Sequence, residues 1–419
     1  MSLFADLTAR GLIEQCSDPD LAANLDGGGL SAYAGFDPTA PSLHLGSLMP
    51  ILGLMRLQRA GHRPIALVGG ATGMIGDPSG KSEERRLLSA EDIAENCAGI
   101  RSQLERFLDF GGPKGAKLVN NADWFAGVSF REFLRDTGKH ITVNMMFAKE
   151  SVRARLEDRA HGISYTEFSY MLVQAYDFLW LHQHEACVLQ IGGSDQWGNI
   201  TAGIELIRRK RAQAAYGLTL PLITTADGKK FGKTEAGNIW LDGGKSSPYQ
   251  MFQFFLNTDD RDVVRLINYF TFLPRSAIEE LAHQVATAPE LREAQRVLAR
   301  EVTRLVHGAE EAARAEQGAG ALFGGGLEAI LAAPTIPASN WRLAELEGGL
   351  PLGRVLSHPE VKLAASGSAA RRDIEGGGVY VNEQRVADPG AVLSPTDLQR
   401  GQVVLLRKGK KSYHLLRFA

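Results

Sequence analysis

The most restrictive feature of this sequence is a unit that recurs in its first half. A short apolar run is followed by a loop rich in Gly, Asp, Ser or Thr and then by helical periodicity, with runs at 31–35, 65–69 and 188–192. Short strands that alternate with helices are typical of an α/β domain with a parallel sheet. In such a sheet the ligand site lies beyond the carboxyl ends of the strands. We therefore expect the three loops to face one crevice.

The length of the chain predicts several domains. The chain has 419 residues, whereas the hydrophobic core of a single domain stops growing at about 250–300 residues. After 248 the pattern is helical without a strand signal, a Gly-rich stretch follows at 318–326, and the last segment begins with a helix and closes with two short strands. The predicted division is 1–220 for an α/β domain, 221–247 for a loop-bearing linker, 248–320 for a helical domain, 321–350 for a linker and 351–419 for a small α+β domain.

Composition and cysteine use narrow the class of protein. Hydrophobic residues make up 44% and charged residues 22% of the chain, as in ordinary globular proteins. No apolar run approaches the about 18 residues that cross a bilayer, and the N-terminus lacks a signal-peptide pattern, so we expect a cytoplasmic protein. Cys16, Cys97 and Cys187 form no CxxC pair, which argues against disulfides and structural zinc. His182 and His184 diverge on a helix, so we expect no metal site there.

Basic charge is concentrated at the C-terminal end. Residues 351–419 hold 11 Lys/Arg against 6 Asp/Glu, a net charge of +5, whereas the whole chain carries −2. Such a segment is either a solvated surface or a nucleic-acid footprint. The candidates for nucleic-acid contact are Arg371, Arg372, Arg407, Lys408, Lys410 and Lys411.

Two segments have features of a phosphate site. Residues 33–39 (Tyr-Ala-Gly-Phe-Asp-Pro-Thr) and 44–47 (His-Leu-Gly-Ser) precede a predicted helix at 48–60. A helix N-terminus attracts phosphate through its free N–H groups, and a glycine there permits close approach of a nucleotide. A His-x-Gly sequence alone, however, also occurs by chance or in a purely structural role. Residues 229–234 (Lys-Lys-Phe-Gly-Lys-Thr) are either a solvated basic turn or a mobile clamp for a triphosphate.

Two further segments place polar groups at specific positions. Residues 69–82 are not a P-loop, because only three residues separate Gly76 from Gly80 where that motif needs four. Asp77 in this loop fits a site for an ammonium group. On the predicted helix at 166–177, Tyr170, Gln174 and Asp177 fall on one face, which is either solvent-exposed or lines a site.

Six motifs, in order, resemble those of the class I aminoacyl-tRNA synthetases, and within them the bacterial enzymes specific for tyrosine. The motifs lie at 33–39, 77–81, 138–140, 168–170, 190–199 and 230–234. The run 192–199 (Gly-Gly-Ser-Asp-Gln-Trp-Gly-Asn) is the most specific. Ser47 departs from the class signature, where a second His stands. The resemblance implies a Rossmann-like catalytic domain, an α-helical anticodon-side domain and a ribosomal-protein-type RNA-binding domain.

The resemblance also implies roles for individual residues. The phenol of tyrosine would lie between Tyr33 and Asp177, and its ammonium group would meet Asp77, Tyr170 and Gln174. The catalytic residues facing the phosphates and the leaving pyrophosphate would be Thr39, His44, Lys81, Arg85, Lys230 and Lys233. The ATP-binding residues would be Gly35, Asp37, His44, Gly46, Ser47, Gly193, Asp195, Gln196 and Lys233.

Partners follow from the same resemblance. They are L-tyrosine, tRNA and ATP with Mg²⁺ bound through its phosphates, and the chain would form a homodimer. Three alternatives stay open at this point: a tryptophan-activating relative, a small-molecule nucleotidyltransferase, and an RNA-binding paralogue without activity. Tyr33 with Asp177 disfavours tryptophan, because an indole has one N–H and no hydroxyl.

Overall fold

The computed structural model of the protein divides into two compact units. It describes residues 2–79, 88–112, 114–149, 152–153, 156, 162–228, 231–234, 237–324, 336–409 and 412–419. The first unit holds residues up to 232 together with 240–242 and 265–273, and the second unit holds the others. Among the described helices, none is both long and apolar enough to cross a membrane.

The first unit is built on a six-stranded sheet in the order β1-β6-β5-β2-β3-β4. The strands are β1 (Gln15–Cys16), β2 (Ser31–Phe36), β3 (Arg63–Val68), β4 (Lys117–Asn120), β5 (Cys187–Gly193) and β6 (Tyr216–Leu220). All neighbours pair in parallel except β1, which runs antiparallel to β6 at the edge. Ala32 and Ala66 are fully buried, as expected where helices cover both faces. The predicted parallel sheet is confirmed.

Helices flank this sheet and carry part of the site. They are α1 (Leu3–Ala9), α2 (Leu21–Gly27), α3 (Leu45–Arg59), α4 (Ala90–Phe107), α5 (Ala122–Phe125), α6 (Phe130–Asp136), α7 (Val143–Ala148), α8 (Tyr165–Glu185) and α9 (Trp197–Arg211). Helix α8 begins where Ser164 accepts a hydrogen bond from the Glu167 N–H and ends at Ala186 in the left-handed conformation. Helix α3 begins at Leu45, three residues before the predicted start, because His44 caps it.

The second unit contains the predicted helical region. Its helices are α10 (Pro248–Leu256), α11 (Asp260–Phe270), α12 (Arg275–Thr287), α13 (Glu293–His307) and α14 (Ala309–Gly324), and the last turns of α11 belong to the first unit. Ser247 and Gln250 form a capping box around Pro248, which starts α10. Helix α14 continues through the start of the Gly-rich stretch, since alanines around Gly318 and Gly320 favour helix.

A second sheet in this unit has the order β12-β11-β14-β15-β9. The remaining strands are β7 (Lys233–Thr234), β8 (Gly237–Asn238), β9 (Ala338–Trp341), β10 (Leu350–Pro351), β11 (Val379–Val381), β12 (Gln384–Val386), β13 (Val392–Leu393), β14 (Val403–Lys408) and β15 (Ser412–Phe418), and the helices are α15 (Leu343–Glu347), α16 (Leu352–Leu356) and α17 (Gly367–Glu375). Strand β9 pairs in parallel with β15. The predicted linker at 321–350 therefore contains a strand and a helix. The sequence Ala-Ser-Asn-Trp carries no strand pattern, and β15 supplies its partner.

Candidate functional site

The polar loops at the carboxyl ends of β2, β3 and β5 surround one cavity of about 240 Å³ in the first unit. Helices α3 and α8 close its sides. The lining residues are Tyr33, Gly35, Asp37, Thr39, His44, Ser47, Pro50, Leu67, Thr72, Asp77, Ser79, Tyr170, Gln174, Asp177, Gln190, Ile191, Gly192, Gly193, Asp195 and Gln196. This is the crevice expected at the strand ends of an α/β sheet.

The floor of the cavity pairs a tyrosine with a carboxylate. The Tyr33 side chain is 1% exposed, packs against Phe178 with ring centroids 5.3 Å apart, and among the described residues its hydroxyl has no hydrogen-bond partner. Asp177 is also buried, and both its oxygens accept hydrogen bonds, Oδ1 from Trp124 Nε1 at 2.9 Å and Oδ2 from Asn121 Nδ2 at 3.0 Å. A buried hydroxyl without a partner is costly unless a ligand completes it.

Burial changes the pKa values of the two groups on the cavity floor, Tyr33 and Asp177. Burial raises the pKa of Asp177 to about 8, against the lowering effect of the hydrogen bonds from Asn121 and Trp124. Burial, followed by the charge of Asp177, raises the pKa of Tyr33 well above its usual value. The Tyr33 side chain is therefore a neutral phenol at physiological pH. The Asp177 carboxyl titrates close to physiological pH. Shifted carboxyls of this kind cluster at functional sites.

Asn121 and Thr72 join this floor to Asp37. Asn121 Nδ2 donates to Thr72 Oγ1 at 3.1 Å, and that hydroxyl donates to Asp37 Oδ1 at 2.7 Å. Tyr170 donates to the other oxygen of Asp37 at 2.8 Å. Gly69 permits this arrangement, because a Cβ there would lie 2.3 Å from both Asp37 Oδ1 and Thr72 Oγ1.

A second polar group lies around Gln196. Its Nε2 donates to Asp77 Oδ2 at 2.6 Å, and its Oε1 accepts from Gln174 and from Asn199. Ser79 N–H donates to the other oxygen of Asp77 at 2.9 Å. One amide therefore connects the loop after β3, the turn after β5 and helix α8.

The N-terminus of α3 forms another wall of the cavity. His44 Nδ1 accepts a hydrogen bond from the Gly46 N–H at 3.0 Å, which in a neutral imidazole places the proton on Nε2. Ser47 lies in the first turn of α3. Both Ser47 and Thr39 line the cavity. The free N–H groups and dipole of a helix N-terminus suit phosphate.

The structure brings most of the predicted site residues together, and it adds others. Gly46 contacts His44 without lining the cavity. Lys81, Arg85 and Lys230 lie outside the described residues, as does the side chain of Lys233. Residues not predicted for the site include Thr72, Asn121, Trp124 and Gln190. Asn121 and Trp124 follow the end of β4, so the strand-end rule could have found them, but the short β4 carries a weak signal.

The predicted basic residues at the C-terminal end have partners in the second unit. Arg407 pairs with Glu383 at 3.0 Å and lies over the Tyr380 ring at 3.5 Å, and Lys408 pairs with Asp373 at 2.8 Å. Exposed arginines on α17 include Arg371, which pairs with Glu375, and Arg372. Lys410 and Lys411 lie outside the described residues. An exposed ion pair such as Arg371–Glu375 contributes little and exchanges readily.

Comparisons with known proteins place the chain in a family. A family described as "tRNA synthetases class I (W and Y)" matches residues 26–324, and one described as "Tyrosine--tRNA ligase SYY-like C-terminal domain" matches 350–416. The chain is 52% identical to a tyrosine–tRNA ligase of Roseiflexus castenholzii, with 99% of each chain covered. It is 51% identical to a tyrosine–tRNA ligase of Bacillus caldotenax, with 100% of each covered.

A solved structure agrees with these sequence matches. A C-terminally truncated mitochondrial tyrosyl-tRNA synthetase of Aspergillus nidulans superposes with a TM-score of 0.69 at 32% identity, covering 77% of this chain and 94% of that one. The two curated relatives match along 99–100% of their length, and the description of the C-terminal family names the tyrosine–tRNA ligases. The chain therefore belongs to the class I tRNA synthetases, as a member of the tyrosine–tRNA ligases.

Proposed function

We propose that this protein activates L-tyrosine with ATP to form tyrosyl-adenylate and pyrophosphate, and then transfers tyrosine to the 3′ end of the tRNA that reads tyrosine codons. The observation that carries the proposal is the buried Tyr33 hydroxyl, which lines the cavity beside Asp177 and has no partner among the described residues. A phenol can donate to the Asp177 carboxylate and accept from Tyr33.

This floor favours tyrosine over phenylalanine. A substrate without the hydroxyl leaves the buried Tyr33 hydroxyl without a hydrogen-bond partner among the described residues, whereas Asp177 keeps its hydrogen bonds from Trp124 and Asn121. An unsatisfied buried group costs about 1–3 kcal/mol, which corresponds to about a 10- to 100-fold preference. An indole offers only one donor and no acceptor in its place.

At the other end of the substrate, Asp77, Tyr170 and Gln174 are proposed to bind the ammonium group. Asp77 supplies negative charge, and Tyr170 can accept a hydrogen bond while it donates to Asp37. Gln174 donates to Gln196 through Nε2, so its carbonyl oxygen is the proposed acceptor. Charge-assisted hydrogen bonds of this type are the strong ones.

Activation needs no nucleophilic side chain, since the substrate carboxylate attacks the α-phosphate and pyrophosphate leaves. Four acidic side chains among the described residues line the cavity, those of Asp37, Asp77, Asp177 and Asp195, and those that are ionised repel phosphate. Cations must offset this charge. We assign that role to Lys81, Arg85, Lys230 and Lys233, with Mg²⁺ bound through the phosphates of ATP.

The nucleotide itself is proposed to bind along the α3 wall. His44 Nε2 and Thr39 face the phosphates, and Gly46 and Ser47 let them approach the helix N-terminus. Gly35, Asp37, Gly193, Asp195 and Gln196 are proposed to contact the ATP nucleoside. In the described residues no cluster of three or more His, Cys, Asp or Glu side chains is placed to hold a metal. The protein part of catalysis is positioning and charge stabilisation.

The C-terminal module, which comprises residues 351–419, is proposed to bind tRNA. The proposed contacts are Arg371, Arg372, Arg407, Lys408, Lys410 and Lys411. Of these, Arg371 has a side chain that is 71% exposed, so a phosphate can replace Glu375 at little cost. Arg407 is only 14% exposed and is held by Tyr380 and Glu383. We propose that Arg407 both maintains the shape of this surface and supplies positive charge to it.

The protein is further proposed to act as a homodimer in the cytoplasm. Large apolar side chains are exposed on α6, α7 and the first residue of α8: Phe130 68%, Leu134 40%, Val143 52%, Phe147 45% and Tyr165 66%. A contiguous exposed apolar patch marks an interaction surface, and we propose that these residues, which lie on segments that are close in sequence, form one. Light scattering is expected to give twice the 45.4 kDa chain mass, and Phe130→Asp is expected to give monomers. Leu291→Asp, at an exposed leucine of the second unit, is the matched control.

The test of the proposed reaction is pyrophosphate exchange into ATP without tRNA. Exchange is expected with tyrosine, only weakly with phenylalanine and not with tryptophan, and Asp177→Ala is expected to abolish the tyrosine reaction. Exchange with tryptophan would instead assign the protein to tryptophan activation. No exchange with any amino acid would leave an RNA-binding paralogue as the better description.

A further inference from the structure

Three aromatic rings form a continuous stack that begins at the cavity floor. The Trp124 and Trp180 rings lie 4.3 Å apart at 14°, and the Trp180 and His184 rings lie 4.2 Å apart at 19°. Asp177, Trp180 and His184 stand at i, i+3 and i+7 on α8 and therefore share one face of that helix. The stack runs from the buried Asp177 to the exposed His184.

The inner ring of this stack holds the carboxylate of Asp177. Trp124 is 8% exposed, and its Nε1 donates to Asp177 Oδ1 at 2.9 Å. The indole belongs to α5, which has four residues and no side-chain cap. So short a helix has no stability of its own. The orientation of the Trp124 ring therefore depends on what packs against it.

Trp180 supplies that packing. It is half-buried, belongs to α8 and packs against the same core cluster as Trp124. Helix α8 is 21 residues long and capped at both ends, so it is the rigid partner of the pair. Parallel rings at this distance restrict rotation of the inner indole about its χ angles, and thereby keep its N–H directed at Asp177.

We propose that Trp180 is a positioning residue for substrate choice: by stacking on Trp124 it keeps the indole N–H on Asp177 and so orients the carboxylate that reads the tyrosine hydroxyl. This inference rests on the proposed function of Tyr33 and Asp177. A purely structural role is the alternative. The two differ because a structural loss affects every substrate equally, whereas misorientation of Asp177 affects only a substrate with a hydroxyl.

The experiment compares tyrosine with phenylalanine in pyrophosphate exchange by the full-length chain. Trp180→Leu keeps an apolar side chain but removes the ring. It is expected to raise the KM for tyrosine about fivefold, the range that aromatic pairs contribute, and to leave the KM for ATP and the weak phenylalanine reaction within about twofold. Trp180→Phe keeps a ring and is expected to restore most of the discrimination. His184→Ala removes only the outer ring and is the control.

Each outcome decides one point. Equal losses for tyrosine and phenylalanine, or an unchanged KM for tyrosine in Trp180→Leu, would overturn the positioning role while the wild-type exchange still supports the proposed function. Absence of exchange in the wild type would overturn the proposed function and the inference with it. The thermal unfolding midpoint checks folding. If the leucine variant does not fold, Trp180→Met takes its place, because a flexible side chain fills the site without a ring.

Discussion

Gln196 donates a hydrogen bond of 2.6 Å to Asp77, although the two residues are 119 positions apart in the chain. The same amide accepts from Gln174 at 3.2 Å and from Asn199 at 3.1 Å. Asp77 is the proposed partner of the substrate ammonium group. Its orientation is therefore fixed by a residue on the far side of the cavity, in the turn after β5.

Replacing Gln196 by alanine is expected to weaken tyrosine binding. The change removes one donor from Asp77 and the acceptor for Gln174, and a hydrogen bond to a charged group contributes about 1.5–3 kcal/mol. The KM for tyrosine in pyrophosphate exchange should rise by about tenfold or more. Gln183→Ala, at an exposed position of α8, is the matched control. An unchanged KM in Gln196→Ala would show that Asp77 needs no such support.

Tyrosine affinity is expected to depend on pH through Asp177, whose pKa burial raises to about 8. The ionised carboxylate accepts the phenol hydrogen, so the dissociation constant for tyrosine should fall as pH rises and level off above about 8. Equilibrium dialysis across this range measures it. A dissociation constant that does not change between about pH 6 and 9 would contradict the assignment.

The same shift predicts an effect on folding stability. The folded state of Asp177 holds its proton up to about pH 8, whereas an unfolded aspartate releases it near about pH 4. Folded protein therefore binds more protons between these values, and its free energy of unfolding falls as pH rises through them. Asp177→Asn removes this titration. The slope of thermal stability against pH should be less negative in the variant than in the wild type.

Gly46→Ala is expected to impair ATP use. A Cβ at this position would lie 2.8 Å from His44 Cε1 and 3.0 Å from Nδ1, so the imidazole must move away from the proposed phosphate position. Loss of one well-placed donor lowers kcat by on the order of 10²-fold. Gly127→Ala, where a Cβ meets nothing within 4 Å, is the control. Exchange at the wild-type rate in Gly46→Ala would remove His44 from the proposed phosphate contacts.

The double variant Lys410→Ala and Lys411→Ala is expected to separate the two steps of the reaction. Aminoacylation of tRNA should fall, and the salt dependence of tRNA binding should weaken by about one unit of slope per lysine removed. Tyrosine activation in the same preparation should stay at the wild-type level. Equal loss of both activities would show that the C-terminal module does more than hold tRNA.

Much of the site follows from local patterns. The polar loops after β2, β3 and β5 were predicted from apolar runs that lead into segments rich in Gly, Asp, Ser or Thr, and these loops do line the cavity. The helical spacing of Tyr170, Gln174 and Asp177 places all three on the cavity side of α8. These predictions succeed because strand alternation and helical rotation depend only on neighbours along the chain.

Other parts of the site have no local signal. Trp124 and Trp180 look like ordinary core residues in the sequence, and their stacking links segments 56 positions apart. Strand β9 likewise carries no strand pattern and pairs with β15, which follows it by more than 70 residues. Such contacts depend on which surfaces meet after the elements have formed, and not on the composition of either segment.

By itself, the sequence determined the parallel sheet, the order of its signature loops and the family, because each of these is written in short-range spacing. Only the tertiary structure decided that Asn121 and Trp124 both donate to Asp177 and that the buried Tyr33 hydroxyl has no hydrogen-bond partner among the described residues. The physical reason is burial. The proton affinity and orientation of Asp177 come from desolvation and from donors far away in the chain, which exist only once the fold has closed around it.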